Sequence, residues 1–234
     1  MASGRGTRPG VALTLAGAGM LVAVGYPIAA ARAVEAFGSR AVGATLLAVG
    51  ALSFALTLRR SAPGFGLGLR SLPLVLAGLA LATGDVRFVQ LVPAAIEGIL
   101  CGLFLGSLRG GGSILEQAAR TLEPFAPDFI GPYCRKATGV FAALFAVQAV
   151  MLCALALGAP GPDWARDASF WIIAPTVACT AVEFLVRKAW FRNYSDTPWD
   201  RVLRVLFPPE KTAQGRRSLE WIRAKRAELG LPPP

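Results

Sequence analysis

The chain has 234 residues, 54% of them hydrophobic and only 16% charged, with 26 glycines, no histidine and a net charge of +10. Soluble domains carry about 25% charged residues, so this composition points away from a water-soluble globule or a disordered chain and toward a membrane protein. Without histidine there is no Ser-His-Asp or Cys-His catalysis, no His-bearing zinc or haem site and no imidazole proton shuttle.

A bilayer core takes roughly 20 apolar residues in a helix, with a working range of ~17–25. Six stretches are read as spans: 11–31, 41–58, 69–83, 88–108, 137–157 and 169–186. The third is short and carries Pro73, with Arg70 near its start. It crosses only if Arg70 snorkels to the interface or the bilayer thins. The basic residues test the scheme independently. Twenty of them fall on one side: Arg5, Arg8, Arg59, Arg60, Arg70, Arg109, Arg120, Arg135, Lys136 and the eleven from Arg187 onward. The other side holds four, Arg32, Arg40, Arg87 and Arg166. The positive-inside rule then places both termini in the cytoplasm. The first span also has signal-peptide features, a basic start and the small run Ala29, Ala30 and Ala31, so cleavage there is the alternative. Cys101, Cys153 and Cys179 fall in spans and Cys134 in an inner loop, with no C-x-x-C pair, so the cysteines read as small hydrophobes and no metal or cofactor is expected.

The large inner loop opens on Gly110-Gly111-Gly112, a hinge, followed by the capping-box pattern Ser113-Ile114-Leu115-Glu116. Ile114, Leu115, Ala118, Ala119 and Leu122 share one face of the helix that follows, which ends before Pro124 and reads as a membrane-surface helix. The glycines at 64, 66 and 68 have the wrong spacing for a dinucleotide fingerprint and read as a linker. Residues 1–189 are thus expected as the transmembrane domain and 190–234 as a basic amphipathic cytoplasmic tail. In that tail a helix starts at Thr197-Pro198, with Trp199, Val202, Leu203 and Leu206 on one face, and Pro208-Pro209 breaks it. A second helix runs from about 210 to 229 and is stopped by Gly230. Its Arg216, Arg217, Arg223, Lys225 and Arg226 are candidate contacts for anionic lipid, at ~1 kcal/mol per charge near the surface. Nucleic acid is not expected as a partner, because topology already demands inner positive charge.

Glu97 lies ten residues into the fourth span, where a charge costs ~2.5–3.5 kcal/mol on insertion scales. It must face protein or water, or carry a proton. Gln148 lies at comparable depth in the fifth span, within reach of a hydrogen bond to Glu97 across helices. Glu183 stands four residues before Arg187, the spacing of a local ion pair, with a substrate site as the alternative. Gly98, Gly102 and Gly106, preceded by Ala94, make a small-residue stripe suited to close helix approach.

These features together resemble a family of uncharacterised inner-membrane proteins encoded beside aryl polyene (xanthomonadin-type) pigment biosynthesis genes. The resemblance covers roughly residues 20–190. It is carried by Tyr26-Pro27, Pro93, Ser113-Ile114-Leu115-Glu116-Gln117-Ala118-Ala119-Arg120, Glu123-Pro124, Tyr133, Arg135, Thr138, Phe145 and Glu183-Phe184-Leu185-Val186-Arg187. Glu97 and Gln148 stand where the family pattern has asparagines, and the basic tail after Trp190 exceeds that pattern. The resemblance implies a bacterial inner-membrane setting and a polyketide-like acyl chain, or its lipid-linked product, as the ligand. The expectation is an all-α polytopic protein of six transmembrane helices. It is read as a non-catalytic accessory protein that organises a lipidic intermediate with its biosynthetic enzymes. Its rivals are a membrane-embedded lipid-modifying enzyme using Glu97 or Glu183, and a small transporter or flippase with Glu97 in its pathway.

Overall fold

The computed structural model describes residues 9–58, 67–123, 125–158, 162–192, 194 and 198–230. Arg5, Arg8, Arg59, Arg60 and the glycines at 64 and 66 lie outside them. Among the described residues the chain is all-helical, with eight α-helices and no strand. They are α1 (Pro9–Leu58), α2 (Leu67–Thr83), α3 (Val86–Leu108), α4 (Ile114–Leu122), α5 (Gly131–Gly158), α6 (Pro162–Phe191), α7 (Pro198–Leu206) and α8 (Ala213–Glu228). Each of the six expected apolar stretches falls inside a helix. Among the described residues, two helical runs, Val86–Leu108 and Asp128–Gly158, are long and apolar enough to cross a membrane. Their apolar stretches are 33% and 39% buried, so much of each is in part accessible at the surface.

The chain forms two compact units. One contains Gly17–Leu103 and Phe141–Thr176. Here α1 is broken at Gly38, whose φ of 80° and ψ of 160° suit only glycine. The break divides the helix into two arms, where the sequence places two spans. The Ser39 hydroxyl donates to the Gly84 carbonyl, which ties the kink to the turn between α2 and α3. Gly84 closes α2 at positive φ, its N–H reaching the Ala80 carbonyl at 2.9 Å. Asp85 caps α3 by accepting from the Arg87 N–H at 2.9 Å. Val42, Ala80 and Val89 bring α1, α2 and α3 into one apolar core. Ala94, Leu152 and Ile173 do the same for α3, α5 and α6.

Close helix approach occurs at Gly43. A Cβ there would sit 2.8 Å from the Leu81 amide nitrogen and 3.0 Å from the Ala77 carbonyl oxygen. The expected stripe behaves differently: a Cβ at Gly98 or Gly106 would meet nothing within 4 Å. The four-residue spacing marks a smooth helix face, but among the described residues no neighbour lies against Gly98 or Gly106.

The other unit contains Phe104–Val140 and Val177–Pro234. The tail beyond residue 189 belongs to the same compact unit as the inner loop. Ser113 caps α4 by accepting from the Glu116 N–H at 3.4 Å, and the helix ends before Pro124 as expected. Part of its apolar face packs on protein. Ala119 and Leu115 pack with Ile130, Cys134 and Phe191. Thr212 caps α8, accepting from the Gly215 N–H at 3.1 Å, so that helix starts three residues later than expected.

Gly43→Ala should destabilise the protein by about 1–3 kcal/mol, the usual cost of overpacking against backbone. Gly98→Ala should be neutral or slightly stabilising, because alanine is favoured over glycine by ~1 kcal/mol in a helix and meets open space. Melting temperatures of the two variants in detergent check this, and equal behaviour would refute the assignment of the close contact to Gly43.

Candidate functional site

Three arrangements carry chemistry-bearing groups. The first is an apolar groove of about 580 Å³ between the arms of α1. Tyr26, Ala29, Ala33 and Phe37 line it before the kink, and Val42 and Thr45 after it. Its two hydroxyls are already engaged. Tyr26 donates to the Val89 carbonyl at 3.5 Å and Thr45 to the Ala41 carbonyl at 2.9 Å. The walls therefore present hydrocarbon. The volume lies inside the ~300–1,000 Å³ range of small-molecule sites.

The second arrangement surrounds Glu97, which is 6% exposed. From the shared apolar contact of Ala94, Leu152 and Ile173, one helical turn leads to Glu97 on α3, to Gln148 on α5 and to Thr176 on α6. The Gln148–Thr176 hydrogen bond lies one turn from the Leu152–Ile173 contact, so polar groups adjoin the apolar interface of α5 and α6. The expected Glu97–Gln148 hydrogen bond is not formed. Gln148 instead donates to the Ile172 carbonyl at 2.6 Å and accepts from the Thr176 hydroxyl at 2.8 Å. Those partners on α6 hold the amide, and Glu97 Oε2 is buried with no hydrogen-bond partner. Nothing about Thr176 in the sequence marks it out, since its partner lies 28 residues away.

The third arrangement is a buried charge cluster. Lys188 Nζ lies 2.8 Å from Glu123 Oε1 and 2.9 Å from Asp200 Oδ1. Arg187 reaches Glu183 at 3.1 Å and Glu123 at 3.5 Å. Glu183 thus sits in the local ion pair its spacing suggests. Lys188, Asp200, Glu123 and Arg187 are all buried. Both cations also lie near the Phe184 ring, at 5.8 and 5.9 Å from its centroid. With every carboxylate matched to a cation, this cluster fastens α4, α6 and α7 together. It presents neither a nucleophile–base pair nor an open acid.

The basic residues of α8 are also engaged within the protein. Arg217 lies 4.5 Å over the Phe129 ring and Arg226 5.6 Å over Phe125. Lys225 pairs with Glu228 at 2.8 Å, and Arg216 donates to the Glu210 carbonyl at 2.9 Å. Arg223 is exposed. Among the described residues no cluster of three or more Cys, Asp or Glu is placed to hold a metal ion. No family model, no curated protein and no solved structure matches the chain.

Proposed function

We propose that this chain is an integral, six-span protein of the bacterial inner membrane with both termini in the cytoplasm. In this reading it is a non-catalytic accessory protein. It holds the apolar chain of a lipidic or polyketide-like intermediate and gathers the enzymes that make it. The observation that carries the reading is the groove of α1, about 580 Å³ and walled by hydrocarbon. Outward-facing Val140, Val147 and Val150 on α5, and Leu103 and Leu105 on α3, support the membrane setting. The likeness to proteins encoded beside aryl polyene genes supports a conjugated chain as the occupant.

Parinaric acid, a conjugated polyene whose fluorescence rises in apolar sites, is the direct probe. The purified full chain should bind it saturably. Ala29→Trp projects an indole into the groove from an exposed position and should weaken binding at least tenfold, about 1.4 kcal/mol. Unchanged binding by that variant would remove the groove from the argument.

Topology is checked by reporter fusions. Those after Leu58, Leu108 and Pro234 should report cytoplasm, and those after Arg40 and Asp163 periplasm. A periplasmic signal from the C-terminal fusion would sink the six-span scheme.

The unpartnered Glu97 Oε2 favours a second reading, in which Glu97 carries a proton or contacts a substrate cation in a transport pathway. Glu97→Gln separates the two. A folded but inactive Gln variant supports the carrier role. A fully active one leaves Glu97 structural, and Glu97→Leu, which removes a buried carboxyl oxygen that has no partner, should then leave the melting temperature unchanged or raise it.

A further inference from the structure

An amphipathic helix on a water-soluble core turns its apolar face inward. The helix α7 does the reverse. Asp200, 2% exposed, points into the protein and pairs with Lys188 at 2.9 Å. Val202, Val205 and Leu206 are 54%, 79% and 63% exposed. At 100° per residue these three fall within one arc centred opposite Asp200. Arg201 and Arg204 are both exposed on the same side of the helix, Arg201 beside that arc and Arg204 nearer to Asp200.

The last turns of α6 are inverted in the same way. Arg187 and Lys188 are buried, whereas Val182, Leu185, Val186 and Trp190 are exposed. Charges pointing in and hydrocarbon pointing out is the pattern of ionisable residues in membrane helices, which face the protein interior. Tryptophan is enriched where such helices leave the bilayer. Only seven residues separate Trp190 from Pro198, the first residue of α7, so α7 starts within reach of the surface at which α6 emerges.

We propose that α7 is an interfacial anchor. Its Val202, Val205 and Leu206 face enters the acyl boundary, and Arg201 and Arg204 meet anionic headgroups. The Lys188–Asp200 ion pair sets the rotation of the helix that makes this possible. The occupant is an anionic bilayer: exposed hydrocarbon flanked by arginines matches an apolar layer topped by phosphates. The contrast with α8 sharpens the assignment. That helix buries Ile222, and four of its five basic residues named above are engaged within the protein, so α7 supplies the outward hydrocarbon that insertion requires.

This inference rests on the membrane reading above, and its test separates the two. A nitroxide amino acid is introduced at position 205, 147 or 223 of the full chain, leaving the native cysteines in place. The protein is reconstituted in bilayers of phosphatidylcholine alone or mixed with phosphatidylglycerol. Collision rates with oxygen, which partitions into lipid, and with a water-soluble nickel chelate report the depth of each label. The label at 205 should favour oxygen over nickel several-fold more than the label at 223, with the difference larger in the anionic mixture. Arg201→Glu combined with Arg204→Glu should abolish the dependence on anionic lipid. If 147 reads as lipid while 205 reads as water, α7 is no anchor although the membrane reading stands. If 147 also reads as water, the membrane reading fails and the anchor with it. A label at 205 shielded from both reagents marks a protein contact and overturns the proposal.

Discussion

A charged side chain is stable beside hydrocarbon only when the protein completes its partners. Lys188 is where the loop-and-tail unit meets that condition. Its ammonium joins Glu123, just after α4, to Asp200 of α7, and neighbouring Arg187 takes Glu123 and Glu183. Removing one partner of a buried pair typically costs ~3–5 kcal/mol, because a charge is then stranded. Three segments distant in sequence are fixed by that constraint. The same constraint decides what is left outside. With Arg187, Lys188 and Asp200 turned inward, Val186 and Trp190 on α6 and Val205 and Leu206 on α7 are left exposed.

The local chemistry of the chain was legible before the structure. Ser113 caps α4, Pro124 follows its end, Gly230 lies just past α8 at positive φ, and every long apolar stretch lies in a helix. Such features depend on a few consecutive residues. The direction in which a face points does not. Periodicity groups Val202 with Leu206, but only the partner of Asp200 decides that this group faces out. Lys188 and Glu123 are 65 positions apart, and nothing near either one announces the other. Depth in a span led to the expectation that Glu97 would meet Gln148. The carbonyl of Ile172 and the hydroxyl of Thr176 claim the amide instead. The glycines at 98 and 106 show a similar gap, since small residues permit close approach without requiring it.

The groove and the buried Glu97 belong to one compact unit and draw on opposite physics. The groove exists because Gly38 turns α1 at a backbone angle other residues avoid, while the Ser39 bond to Gly84 and the tight contact at Gly43 hold the second arm. Alanines on the first arm leave width that larger side chains would fill. Glu97 instead buries polar atoms where apolar ones would cost less, and one oxygen is left unsatisfied. Such a cost persists where something else is gained. On the proposed reading a ligand with an apolar chain would use the first feature, and on the rival reading a proton or a cationic group would use the second.

The shape of the groove also bears on which chain suits it. A flexible acyl tail loses rotamer freedom when confined, at a cost of order 0.5–1.5 kcal/mol for each rotamer-rich group immobilised. A conjugated chain is already extended and planar, so it surrenders little of that freedom. On the proposed reading both would bury comparable hydrocarbon against Ala29, Ala33 and Val42, which line the groove. The difference therefore lies in ordering rather than in contact, and it favours the stiff chain. An apolar groove open to a membrane is surrounded by competing lipid tails. On the proposed reading, rigidity would let a polyene displace them without a polar group to recognise it, which fits walls whose Tyr26 and Thr45 hydroxyls donate to the Val89 and Ala41 carbonyls.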